Sequence, residues 1–104
     1  MNFITPKELH DELMNSNTVV LDVREAYERA ICSVDSLFIP MGEIIERHKE
    51  IPTDKKVVVL CKSGKRAEGV VHLLESEYGF SNLFILIGGI ADWIREIDNN
   101  LEIY

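Results

Sequence analysis

The stretch whose residue types and spacing could carry chemistry is Cys61-Lys62-Ser63-Gly64-Lys65-Arg66. A thiol heads it, and the next five residues supply three cations, a hydroxyl and a glycine. Cysteine attacks as the thiolate, and nearby positive charge together with backbone N–H groups aimed at the sulfur favours that form. A basic loop is poor company for an inert thiol, so Cys61 is read as a nucleophile and not as a core cysteine capping a strand. Gly64 suits such a loop because it can take the positive φ that a tight closure requires.

The flanking residues say what must position that loop. Val57, Val58, Val59 and Leu60 form an unbroken apolar run behind Lys55 and Lys56, the pattern of a short strand buried on both faces of a parallel sheet. Beyond the loop, Val70, Val71, Leu73 and Leu74 recur at helical spacing with Glu68, Glu75 and Glu77 interleaved, and Gly79 is placed to cap the helix in the left-handed conformation. The unit is strand, tight loop, helix. Its loop amides and the positive end of the helix dipole converge on one point, which makes an anion cradle with a thiol at its rim.

A second strand, Thr18 to Val23, brings Asp22 to its carboxyl end. Ligands of open parallel sheets bind outside the carboxyl ends of strands, so Asp22 and Cys61 are expected at the same edge. A carboxylate repels an anionic substrate, and Asp22 is therefore assigned to orienting Arg24 or Arg66 through an ion pair.

The remaining elements follow in order. Thr5-Pro6-Lys7-Glu8 is a capping box that predicts a helix of two to three turns, ending around residues 15–17. A short helix is expected over Ala26–Ile31, a strand ending at Pro40, and an amphipathic helix over Gly42–Lys49 stopped by Ile51-Pro52. Asn82 to Ile87 reads as a strand, Gly88-Gly89 as a sharp turn bringing backbone close to the Cys61 loop, and Ile90 to Ile97 as a helix with Trp93 in the core. Leu101–Tyr104 is a short segment docked on the domain. His10 is placed on the surface, His48 at a helix boundary and His72 partly buried. Strands alternating with helices imply an α/β fold, a parallel sheet with helices on both faces.

Composition narrows the rest. With 104 residues, 46% of them apolar, the chain suits one domain over 1–104 with one core. No apolar run approaches a bilayer span, and MNFITPKELHDEL lacks a signal-peptide core, so a cytoplasmic location and two reduced thiols are expected. A net charge of −7 argues against nucleic acid and against an anionic membrane surface as partners. Within that acidic background Lys62, Lys65 and Arg66 invert the sign and are read as attracting an anion, whereas Lys55 and Lys56 are read as a solvated face. The glycines lack the dinucleotide fingerprint and no His or Cys pair stands at metal-ligand spacing, so neither a cofactor nor a metal is expected.

Cys61-Lys-Ser-Gly-Lys-Arg66 resembles the active-site loop of the rhodanese family of sulfurtransferases, commonly cysteine, two residues, glycine, one residue, arginine. Leu21-Asp22-Val23-Arg24-Glu25 is similar to the family's first signature, Ile39-Pro40 matches it, and Leu86, Gly88, Gly89 and Trp93 resemble its closing one. The resemblance spans Thr5 to about Ile97; from Ile31 to Ser36 the family's glycine-histidine and glycine-alanine pairs are absent. It implies a rhodanese-like domain with a five-stranded parallel sheet, in which Cys61 takes a sulfane sulfur from a thiosulfate-like anion and passes it to a thiol or protein acceptor. Lys62, Ser63, Gly64, Lys65 and Arg66 would bind the substrate, with Asp22 as support, and an acceptor pocket is sought near Gly88 and Met41.

Three rivals are carried. Tyrosine phosphatases place five residues between cysteine and arginine where this chain has four, so a phosphatase or arsenate reductase of related fold ranks below sulfur transfer. A persulfide carrier or interaction module that needs a partner protein is the main alternative, and a catalytically silent fold is disfavoured by the intact Cys61. Cys32 could resolve a persulfide as a disulfide, but is read as a small packing residue under the sheet.

Overall fold

The computed structural model describes residues 1–15 and 17–104. The apolar run before Cys61 forms β4 (Lys56–Leu60), the middle strand of a five-stranded parallel sheet ordered β1-β5-β4-β2-β3. On one side β2 (Thr18–Asp22) sets Asp22 opposite Leu60, and on the other β5 (Leu83–Leu86) sets Ile85 opposite Val59. Val57 to Val59 are paired on both edges, and Val57 to Leu60 are covered on both faces, which is why the run is apolar without alternation.

The edge strands are short. β3 (Leu37–Phe38) pairs with the end of β2, so the strand expected to end at Pro40 stops two residues earlier. β1 (Asn2–Ile4) pairs with β5 and was not foreseen. Three residues are too few to show a period, and what makes them a strand is the edge of β5, about eighty residues away.

Successive side chains of β4 point to opposite faces. Val58 and Leu60 pack with Leu9 of α1 (Pro6–Glu12) and with Ile90, Trp93 and Ile94 of α5 (Gly89–Glu96). Val57 and Val59 pack with Ile44 of α3 (Ile44–Arg47) and with Ala67, Val71 and Leu74 of α4 (Lys65–Tyr78). A further short helix, α2 (Ala26–Ile31), follows β2 as expected.

The capping box at Thr5 is present: the Thr5 hydroxyl accepts the Glu8 N–H at 3.1 Å and Glu8 accepts the Thr5 N–H at 2.9 Å. The helix ends at Glu12 and not around residues 15–17, a range in which Ser16 lies outside the described residues. Leu9 is its last buried apolar residue, and before β2 the Asn15 C=O accepts the Thr18 N–H. The single helix expected over Gly42–Lys49 is instead α3 between two 3₁₀ turns, Met41–Glu43 and His48–Glu50. Ile44 alone among these residues is buried, so little apolar face drives a longer helix, and Arg47 ties the turns together by pairing with Glu43 and Glu50. Gly79 ends α4 at φ +69° as expected. His72 is exposed and not partly buried, because Val71 and Leu74 take the inner face of α4. Lys56 is likewise not merely solvated: it pairs with Glu12 at 2.7 Å and lies over the Phe84 ring at 4.1 Å.

Candidate functional site

Cys61 follows β4 at the carboxyl edge of the sheet, and strand parity turns it to the α4 side, where it is 1% exposed. Its Sγ accepts the Gly64 N–H at 3.0 Å, a bond that strengthens as negative charge builds on sulfur. The short loop can fold back in this way because Gly64 stands at φ +107°, from which the chain enters α4 directly. A Cβ on Gly64 would meet Leu86 C=O at 3.6 Å, ordinary contact, so conformation and not space demands glycine here.

The second glycine pair braces the loop from outside. Ile90 N–H donates to Cys61 C=O at 2.8 Å and Ala91 N–H to Lys62 C=O at 3.1 Å, so the first turn of α5 grips the loop's backbone. Gly89 makes this approach possible: a Cβ there would stand 2.4 Å from Cys61 C=O and 2.5 Å from the Lys62 carbonyl, at φ +60°. The close approach expected of Gly88-Gly89 is thus observed.

Beneath the loop lies a chain of ionic pairs. Arg66 donates Nη1 and Nη2 to the two carboxylate oxygens of Glu28 at 2.6 and 2.8 Å, a bidentate fork. Glu28 also accepts the Glu25 N–H at 2.9 Å and the Tyr104 hydroxyl at 2.7 Å. The Arg66 fork holds the Glu28 carboxyl down at about 2; burial opposes this, and the Glu25 and Tyr104 bonds assist. Asp22 pairs with Arg24 at 2.9 Å and with Arg29 at 3.0 Å. Of the two arginines offered to Asp22, the fold gives it Arg24, and Arg66 goes to Glu28.

Glu28 was missed. The sequence does carry a signal, since it sits in the first turn of the short helix that leaves the same strand edge as Asp22, within reach of the loop. Arg24 is fully buried, and besides Asp22 it donates to Cys32 C=O at 2.9 Å and to the Tyr104 hydroxyl at 3.1 Å.

Lys62, Ser63 and Lys65 are exposed around the cradle, with Lys62 Nζ 4.5 Å from the centroid of the Tyr104 ring. A hollow of about 160 Å³ adjoins them, lined by Phe3, Ser63, Gly64, Lys65, Ile87 and Gly88 among others. Gly88 is therefore beside the loop as sought, whereas Met41 does not line this hollow. A larger cavity, about 640 Å³, lies at the amino half of β2 and includes no loop residue. Cys32 is buried against Val58, Leu60 and Trp93, on the opposite face of the sheet from Cys61. Among the described residues no group of three or more His, Cys, Asp or Glu is placed to hold a metal ion, and no helix is long and apolar enough to cross a membrane.

Comparison with known proteins agrees with this geometry at the level of family. The model of the rhodanese-like domain matches residues 5–96, and the chain belongs to that family. It is 33% identical to a tRNA uridine(34) hydroxylase of Staphylococcus saprophyticus over 99% of its own length, but covers 34% of that relative. It is 26% identical to the adenylyltransferase and sulfurtransferase MOCS3 of Drosophila willistoni, covering 91% of this chain and 23% of that one. The chain thus spans about a third or less of these curated relatives. Among solved structures, a rhodanese-related protein of Thermoplasma volcanium superposes with a TM-score of 0.84 at 35% identity, covering 93% of this chain and 94% of that one.

Proposed function

We propose that this chain is a sulfurtransferase that carries a sulfane sulfur as a persulfide on Cys61, acting as one rhodanese-like domain over 1–104. The observation that carries the reading is the bond from Gly64 N–H to Cys61 Sγ inside a four-residue loop. With thiosulfate as donor, the Cys61 thiolate attacks the outer sulfur, a new S–S bond forms, and sulfite leaves with the electron pair of the old one. A thiolate acceptor then attacks the terminal sulfur, leaves as its own persulfide and restores the Cys61 thiolate. Loop amides stabilise the anionic persulfide without reorganising, which is preorganised electrostatic catalysis. Lys62 and Lys65 draw the anion in, and Arg66 braces the loop through Glu28.

The test is the intact mass of the reduced protein after brief exposure to thiosulfate, beside Cys61→Ser. A gain of one sulfur in wild type alone supports the reading; no gain in folded protein with a free thiol rejects thiosulfate as donor. The hollow beside the loop favours a second reading, a carrier whose donor or acceptor is a protein. Its exposed Phe3 and Ile87 would then contact the partner, and sulfur uptake would appear only with that partner added.

A further inference from the structure

We propose that Tyr104 is a positioning residue for the Cys61 loop: its hydroxyl holds Arg66 through Glu28 and its ring holds Lys62 directly, so one side chain places two of the loop's three cations. The inference deepens the sulfur-transfer reading and rests on it for its consequence in turnover, but its geometry is independent of that reading.

A phenol has one proton to donate and lone pairs to accept with. Tyr104 donates to Glu28 Oε2 at 2.7 Å, the oxygen that also receives Arg66 Nη2 at 2.8 Å, and accepts from Arg24 Nη1 at 3.1 Å. It therefore joins the Asp22–Arg24 pair to the Glu28–Arg66 pair. Arg24 depends on it, because the other contacts of Nη1 are long: Glu28 C=O at 3.5 Å and Cys32 Sγ at 3.9 Å. Removing the hydroxyl leaves a buried guanidinium N–H poorly matched, and the arrangement that fixes Glu28 under Arg66 loosens.

The ring acts on the other side. Lys62 Nζ stands 4.5 Å from its centroid, within cation–π range, and Lys62 follows Cys61 directly in the chain. A lysine free at this position would sample many rotamers, and the ring selects among them.

The local charge explains why placement matters. Asp22 is shared by Arg24 and Arg29 while Glu28 takes Arg66, so three guanidinium groups face two carboxylates. The surplus positive charge belongs to the network that fastens Arg66 at the end of the loop, in a protein whose net charge is −7. Such a surplus draws an anion to Cys61 only if the cations stay where the anion arrives.

The test uses the full chain with Tyr104→Phe and Tyr104→Leu, alkylated with iodoacetate and with iodoacetamide, the product at Cys61 being measured by peptide mass. In both reactions sulfur bonds to carbon and iodide leaves, and the reagents differ chiefly in charge. Tyr104→Leu is expected to lower the iodoacetate-to-iodoacetamide rate ratio about threefold. Tyr104→Phe keeps the ring and lowers it less, and it keeps the proposal testable if the leucine variant folds poorly. Unchanged ratios in both variants, or equal slowing by both reagents, would reduce Tyr104 to a packing residue and overturn the proposal. Sulfur uptake from thiosulfate is measured alongside: absence of uptake by wild type with a falling ratio in Tyr104→Leu rejects thiosulfate as donor and leaves the positioning role standing.

Discussion

Arg66 grips Glu28 with both Nη atoms, at 2.6 and 2.8 Å, across thirty-eight residues of chain. The pair joins the first turn of α4 to the first turn of α2 and so fastens the end of the Cys61 loop to the segment leaving β2. Arg66 spends its fork on this brace, whereas Lys62 and Lys65 are exposed beside it. Glu28→Gln keeps the shape and removes the charge. It should lower stability by about 2 kcal/mol, since an unpaired partner in a half-buried site loses most of what the pair gave. Urea unfolding at neutral pH checks this; an unshifted midpoint would show that the pair adds nothing net.

The same carboxylate predicts an acid limb. Glu28 titrates at about 2 in the folded protein against an ordinary 4.5. A folded value below the unfolded one gives stability that is fully present above pH 4.5 and lost as the pH falls toward 2. The depression corresponds to about 3 kcal/mol. Unfolding curves across that range should show wild type losing its advantage over Glu28→Gln. Parallel losses in the two proteins would assign the acid limb to other groups.

Much of this was legible beforehand because local chemistry and tertiary need coincided. The run Val57–Leu60, the capping box at Thr5, the glycine at 64 and the Gly88-Gly89 turn each state a backbone requirement within a few residues. What escaped depended on distant partners. β1 is made by the edge of β5, the partner of Arg66 sits in a helix thirty-eight residues upstream, and Tyr104 reaches Glu28 across seventy-six. Asp22 and Glu28 both lie at the right edge of the sheet, and the sequence offers no means of dividing the arginines between them. The broken helix at Gly42–Lys49 has another cause: its pattern was amphipathic, but Ile45 is exposed and Ile44 alone is buried.

The two thiols lie in separate cores on opposite faces of the sheet. Mild oxidation of the folded protein should therefore leave no intramolecular disulfide, and Cys32→Ser should retain whatever sulfur uptake wild type shows. A peptide map with Cys32 joined to Cys61 would contradict this placement, and loss of uptake in Cys32→Ser would revive the resolving thiol.

Two glycines separate structural necessity from tolerance. Gly89→Ala drives a Cβ to 2.4 Å from Cys61 C=O at a positive φ, so it should cost more than about 2 kcal/mol and disturb Cys61 reactivity as well. Gly69 lies within α4, where a Cβ meets nothing within 4 Å among the described residues. Gly69→Ala should stabilise by roughly 0.5–1 kcal/mol, the helix propensity difference. Thermal melts of both variants decide the matter, and equal effects would mean that the grip of α5 on the loop is loose.

Tyr104 supplies an alkaline counterpart to the acid limb. Burial pushes its phenol up to about 12; the Arg24 bond opposes this and the bond to Glu28 adds to it. A folded value above the ordinary 10 means that the neutral phenol is favoured in the fold, so its contribution is complete below pH 10 and lost as the pH rises through 12. The chain has three tyrosines, and ultraviolet titration of the phenolate band should show one of them ionising late. In Tyr104→Phe the late step should vanish while the other two remain. If the late step persists in that variant, or all three ionise together in wild type, the phenol is not held between Arg24 and Glu28, and the link from Tyr104 to Arg66 fails with it.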